Sequence, residues 1–283
     1  MNSLFDVPAP AKLNLFLHIT GRRADGYHLL QSVFMLIDWC DTLHFELRAN
    51  GKISRDDLTT PLPADDLAIN AARALQLATG STLGAHISIA KSIPAQAGMG
   101  GGSSDAASTL LALNRLWQLN LTKQQLAHIG LQLGADVPFF IHGSNAWVEG
   151  IGEKITPIDL PKAHFLVVKP ASGLSSQAIF TAPSLKRDSP NAIISGFAAY
   201  PFSFGQNDLQ AVAQKLSPDV STALNWLGKL GLQPRMTGSG SAVFAHVGEE
   251  NLSRFVEFQD APKNAIVKLC SNLAEHPLKS WAN

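Results

Sequence analysis

Between an alternating segment that ends at Pro94 and an apolar-periodic run that ends at Trp117 lies the stretch PAQAGMGGGSSDAASTLLALNRLW, with glycine at four of five consecutive positions (Gly98, Gly100, Gly101, Gly102). Glycine loses more freedom on ordering than any other residue. A cluster of glycines is therefore costly unless the backbone must adopt left-handed conformations or approach something closely. The segment HISIAKSIP ahead of it alternates as a strand does, and helical spacing begins at about Ser103. Strand, glycine turn and helix start together build an anion site. Amides unobstructed by Cβ atoms can converge, and the helix start adds free N–H donors and about half a positive charge. Ser103 and Ser104 are placed to cap the helix or to offer hydroxyls to a phosphate and its metal ion. No Lys-Ser/Thr pair follows the last glycine, so this is not a Walker-A loop, and the spacing misses the dinucleotide fingerprint. Read in isolation, a merely flexible glycine turn stays open as the alternative.

Charge sharpens the point. Lys+Arg and Asp+Glu are 22 each, so the chain has no net field with which to draw nucleic acid or an anionic membrane, and any polyanion must be held by local devices. The partners this points to are small molecules, not nucleic acid and not membrane. The N-terminus lacks the basic start of a secretion signal and no apolar run approaches a membrane span, which reads as a soluble, cytoplasmic protein. Cys40 and Cys270 are too few and too far apart for a disulfide framework or a thiolate metal site, and read as free thiols in a reducing compartment. The 283 residues suffice for one large domain or two modest ones.

Along the chain, AKLNLFLHI (residues 11–19) places Leu13, Leu15 and Leu17 on one face of a half-buried strand. The turn-rich GRRADGYH follows, then LQSVFMLI and DTLHFELRA as two further strands. Helices are expected over residues 65–80 and 122–134, and a glycine-turned hairpin over 145–158. HFLVVKP opens a second part near residue 160. In it, helices are expected over 175–180, 208–215 and 218–230, a loop over 182–192, and strands at SAVFAHV and NAIVKLC. The fold class is α+β in two domains, residues 1–158 and 159–283.

Three further segments carry chemistry-bearing residues. Lys12 sits inside an apolar strand, where a charged residue ordinarily takes the solvent face. In LGADVPFF, Asp136 is a carboxylate among apolar neighbours, able to accept a proton from a hydroxyl or equally to cap the next helix. TGSGS (residues 237–241), as a bare pattern, is a tight turn.

PAQAGMGGGSSDAA resembles the phosphate-binding motif of the GHMP kinases, the superfamily of galactokinase, homoserine kinase and mevalonate kinase. PAPAKLNLFLHI, GRRADGYH, LGADVPFF and MTGSGSAVFA match in order along the same pattern, from about residue 8 to the last strands. The set is most similar to the branch that phosphorylates the 2-hydroxyl of a methylerythritol bearing cytidine diphosphate, in the non-mevalonate isoprenoid route. The resemblance implies a two-domain kinase with its site in the cleft between domains, using ATP and Mg²⁺. ATP phosphates would lie along Pro94, Ala95, Gln96, Ala97, Gly98, Met99, Gly100, Gly101, Gly102, Ser103 and Ser104. Mg²⁺ would be carried mainly by ATP, with Ser103 or Ser104 nearby. Met99 and Gln96 depart from the common pattern, which implies adjusted nucleotide packing.

By the same resemblance Asp136 is the general base and Lys12 reaches into the site beside it, holding it ionised and drawing the substrate hydroxyl toward its deprotonated form. Asn14, two residues on along one strand face, contacts substrate. Tyr27 stacks on the cytosine and His28 hydrogen-bonds to it, Phe180 faces Tyr27 across the base, and Ser176, a position where threonine is common, makes a further contact. Gly238 and Gly240 are structural, packing against the first glycine loop. Asn207-Asp208-Leu209 also matches, with no chemical role assigned. A sibling kinase acting on homoserine or a mevalonate-type alcohol has no use for an aromatic clamp. A non-catalytic nucleotide-binding module has none for Lys12 and Asp136.

Overall fold

The computed structural model describes residues 2–255 and 260–283. In chain order the first half runs β1 (Ser3–Arg22), β2 (His28–Arg48), β3 (Ile53–Asp57), α1 (Leu67–Thr79), β4 (Gly84–Ala90), α2 (Gly101–Leu116), α3 (Lys123–Leu131), α4 (Val137–His142), β5 (Ala146–Gly150) and β6 (Lys154–Pro157). The second half runs β7 (His164–Lys169), α5 (Ser176–Thr181), α6 (Ile194–Ala199), α7 (Gln210–Leu216), α8 (Pro218–Lys229), β8 (Pro234–Met236), β9 (Val243–Val247) and β10 (Ile266–Ser271).

β2 is the spine of a six-stranded sheet. One of its edges carries β1, and the other carries β4 along one half and β5 along the other. Because β1 pairs within the sheet only with β2, Pro8 and Pro10 sit in it without removing a needed ladder donor. The second sheet, in the order β10-β7-β9-β8, is antiparallel throughout.

Two strand expectations are corrected. LQSVFMLI and DTLHFELRA are one 21-residue strand, not two. The acidic residues that read as a break are paired: Asp38 Oδ1 accepts the Ser271 N–H, and buried Asp41 accepts the N–H groups of Ser92 and Ile93. β1 is not half-buried over its centre, because residues 9–17 are buried on both faces. α1 and α2 cover one side with Leu110, Leu113, Phe45 and Ile87, while Leu13, Leu15, Met35 and Phe165 join the two sheets. A third cluster, including Leu17, Leu166, Leu209 and Leu227, fills the space under α7 and α8.

The last residues return to the first half. The Leu273 N–H donates to Leu36 O and the His276 N–H to Gly143 O, and Leu278 and Ala282 enter the same core as α2. No helix among the described residues is long and apolar enough to cross a membrane.

Candidate active site

The burial of β1 reverses the solvent-face reading of Lys12, whose residue is 3% exposed. Two sheets and α2 leave β1 no solvent face in this stretch, so the ammonium points into a cavity. Lys12 Nζ donates to Asn14 Oδ1 at 2.5 Å, lies 3.5 Å from Asp136 Oδ2 and sits 4.7 Å from the Phe34 ring centroid. Asn14 Nδ2 donates to Ser32 Oγ at 2.9 Å, which fixes the amide so that its oxygen faces the lysine.

Asp136 occupies the position before α4, yet its side chain makes no capping bond. The two roles open to it in the sequence are thus separated, since the carboxylate turns toward Lys12 and the helix start goes uncapped.

The glycine segment differs from expectation at its end. α2 begins at Gly101 rather than Ser103, and its N-cap is Gly100, so neither serine caps it. The first intrahelical bond is Ser104 N–H to Gly100 O, which leaves the amides of Gly101, Gly102 and Ser103 ahead of it as donors. Ser103 lines the adjoining cavity. Ser104 is fully buried, its hydroxyl without a hydrogen-bond partner among the described residues, and does not line that cavity. Ala97 and Met99 bury their side chains in the inter-sheet core, so only their backbone faces outward. Gln96 has a left-handed φ of 51° and lines cavities on both sides of the loop.

Left-handed backbone is concentrated where two loops interlock. Gly98 (φ 72°) lies so close to the second loop that a Cβ there would stand 2.3 Å from Thr237 O, and one on Gly238 would stand 2.6 Å from Gly98 O. The Ser241 and Ala242 N–H groups donate to Gln96 O and Ala97 O. Thr237, unremarked in the sequence, accepts the Asn14 N–H at 2.9 Å and so ties this loop to β1. Asn207 gains a role here, since its Nδ2 donates to both Met236 O and Gly238 O at 2.8 Å. Its neighbour Asp208 holds the Ile19 N–H at 2.8 Å.

Three cavities follow one another. One of about 330 Å³ is lined by the glycine segment, Leu62, Leu67 and Lys91. One of about 520 Å³ is lined by Lys12, Asn14, Asp136, Ser176, Phe180 and Gly238, and shares Gln96, Gly98 and Gly100 with the first. The third, about 480 Å³, is lined by Arg22, Tyr27, His28, Gln177 and Phe180, and shares Leu30, Ile151 and Phe180 with the second. Tyr27, His28 and Phe180 thus converge although nothing in the periodicity demands it, and the His28 and Phe180 ring centroids are 5.3 Å apart. Ser176 Oγ lies 2.6 Å from Ser239 Oγ, so its hydroxyl bridges α5 and the second loop.

Beneath the first cavity Lys91 bridges Asp41 and Asp105. Burial, opposed by Lys91 and assisted by Asp41, pushes the Asp105 carboxyl up to about 7. Two carboxylates 64 residues apart give no periodic signal, which is why this cluster is not legible in the sequence. Among the described residues no group of three His, Cys, Asp or Glu side chains could hold a metal ion.

Residues 66–144 match the family model "GHMP kinases N terminal domain" and residues 194–273 match "GHMP kinases C terminal". A 4-diphosphocytidyl-2-C-methyl-D-erythritol kinase of Albidiferax ferrireducens is 66% identical over 282 residues, covering 100% of this chain and 96% of that protein. The Acidovorax sp. protein of the same name is 64% identical over 285 residues, covering 99% of each. A crystal structure of 4-(cytidine 5'-diphospho)-2C-methyl-D-erythritol kinase superposes with a TM-score of 0.80 at 32% identity, covering 95% of this chain and 98% of that one. Identity of this order along the whole length, on this fold, places the chain in the family: it is a GHMP kinase, and among these it belongs to the 4-diphosphocytidyl-2-C-methyl-D-erythritol kinases.

Proposed function

We propose that this chain transfers the γ-phosphoryl group of ATP to the 2-hydroxyl of 4-diphosphocytidyl-2-C-methyl-D-erythritol, giving the 2-phosphate and ADP. The observation that carries the reading is the place of the Lys12–Asp136 pair, 3.5 Å apart, in the middle cavity between a glycine-walled cavity and an aromatic one. A donor and an acceptor entering from opposite ends would meet there.

The free amides at the start of α2 and the left-handed turns at Gly98 and Gly100 fit a polyphosphate. A Cβ at either of those two glycines would press on Thr237 O or on the Phe140 ring and shift the loop that shapes the cradle. Gly98, Gly100 and the amides of Gly101, Gly102 and Ser103 would hold it, with Ser103 the hydroxyl on hand for Mg²⁺. When bound to the nucleotide, Mg²⁺ supplies neutralisation of the charge that grows on the transferred group. Asp136 receives the proton of the substrate hydroxyl, and Lys12, steadied by Asn14, offers its ammonium to the oxygen as negative charge develops there. Tyr27, His28 and Phe180 hold the cytosine at the far end, and Ser176 stands beside the path between. Residues 1–158 supply most of the nucleotide side. Residues 159–283 supply α5 and the second glycine loop, with the last residues packed back on the first domain.

Product analysis tests the reading. Incubation with ATP, Mg²⁺ and the cytidine-bearing alcohol should give a monophosphate at the 2-hydroxyl by ³¹P NMR. Phosphorylation of homoserine or mevalonate in its place would transfer the chain to a sibling activity, and ATP binding with no transfer to any alcohol would leave a non-catalytic nucleotide module.

A further inference from the structure

Arg187 lies between α5 and α6, half-buried, and each nitrogen of its guanidinium donates to a protein acceptor. Nε donates to His28 Nε2 at 3.0 Å, and one terminal nitrogen donates to Leu185 O at 3.0 Å. The other reaches Ala182 O at 2.9 Å and Phe180 O at 3.3 Å. One side chain therefore grips both a ring of the aromatic pocket and the end of the helix that carries Phe180.

Arginine can only donate, so His28 Nε2 must accept. A neutral imidazole that accepts at Nε2 carries its proton on Nδ1. Nδ1 has no partner among the described residues, on a ring that lines the pocket with Tyr27 and Phe180. Burial, then Arg187, then Arg22 lower the pKa of His28, keeping it neutral, while the carboxylate that lines the same pocket, Asp25, is paired with Arg23.

We propose that Arg187 is a positioning residue for recognition of the substrate's base: it fixes His28 as the Nδ1–H tautomer, so that the pocket presents a donor to a pyrimidine edge. This rests on the reading that the substrate carries cytidine. Cytosine offers acceptors at N3 and O2, whereas uracil places an N–H at N3. A donor on His28 pairs with the first and opposes the second. Arg187, which touches no substrate, thereby contributes to the choice between two pyrimidines.

The first test needs no substrate. Long-range ¹H–¹⁵N spectra of the intact protein at neutral pH should show His28 protonated at Nδ1 and bare at Nε2, and an Nε2–H ring overturns the proposal. Arg187→Ala should raise KM for the cytidine-bearing alcohol roughly ten- to hundredfold, the scale of a lost charged hydrogen bond. It should leave kcat and the KM for ATP little changed, weaken the preference for the cytidine over the uridine form of the alcohol, and raise the His28 titration midpoint. Arg187→Lys keeps a cationic donor without the fork and should recover part of that preference. A KM that rises with the pyrimidine preference intact would make Arg187 a loop clamp only, and an unchanged KM would remove even that role. Should Arg187→Ala fail to fold, the wild-type spectra and Arg187→Lys still decide. If the wild type turns over neither pyrimidine form, the substrate reading fails, whereas the tautomer is judged by the spectra alone.

Discussion

Lys12 shows how a single residue can be legible in kind and not in place. Its charge amid leucines is visible in the sequence, but a lone strand gives no reason to bury it. Only the second sheet and α2, which close over both faces of β1, turn the ammonium inward, where Asn14 and Asp136 receive it. On sequence Asp136 is open equally to base and cap; its side chain makes no capping bond and instead lies 3.5 Å from Lys12, across 124 positions of chain. Asp136→Asn keeps the shape and removes the proton acceptor. We expect kcat to fall by about 10²–10⁴-fold, with binding of ATP and of the alcohol retained in calorimetry. Near-normal turnover would mean that positioning and Lys12 suffice. Arg187 and Thr237 are not legible in the sequence, because no motif announces their contacts, the His28 ring and backbone carbonyls for the first and the Asn14 amide for the second.

At the scale of elements, the strand–glycine–helix unit was readable because each part has its own local signal. Its boundary was not, since Gly101 and Gly102 look like loop and serve as the first turn of α2. The left-handed backbone that requires glycine therefore lies elsewhere in the cluster, at Gly98 and Gly100, where φ is 72°. Gly98→Ala would press a Cβ against Thr237 O at 2.3 Å and hold alanine in a left-handed conformation. That should weaken ATP binding at least tenfold and cost about 1–3 kcal/mol of stability. Gly102 is the control: its backbone is not left-handed, and its nearest neighbour for a Cβ is Leu67 Cδ1 at 3.5 Å, so Gly102→Ala should fold normally. Calorimetry with ATP separates the two, and unaltered affinity in Gly98→Ala would refute the interlocked-loop account. The continuous β2 escaped the sequence reading for a related reason, because Asp38 and Asp41 find partners in β10 and ahead of α2.

For the whole molecule, the two-part α+β plan was legible from composition and order, but the return of the last residues to the first half was not. That return buries His276, 1% exposed, whose Nδ1 accepts the Leu278 N–H while Nε2 has no partner among the described residues. Burial lowers its pKa from 6.5 to about 4. The unfolded chain thus binds this proton more readily, and the stability concerned is whole above pH 6.5 and is lost as pH falls toward 4. His18, His142 and His246 are also lowered by burial and act with the same sign. Melting temperatures should decline through this window. His276→Gln should flatten the decline, and an identical slope would free the tail from that role.

The central claim is that a base pocket and a phosphoryl-transfer centre act on one substrate from separate places in one cleft. Steady-state ADP release addresses it directly, measured for wild type and Phe180→Ala with the cytidine-bearing alcohol and with the same alcohol lacking cytidine diphosphate. The account predicts turnover of the first by wild type and refusal of the second. In Phe180→Ala it predicts a KM for the cytidine substrate raised roughly ten- to hundredfold, from ~1–3 kcal/mol of lost stacking, with KM for ATP hardly moved. Efficient release of ADP with the bare alcohol, and a Phe180→Ala variant indistinguishable from wild type, would contradict it.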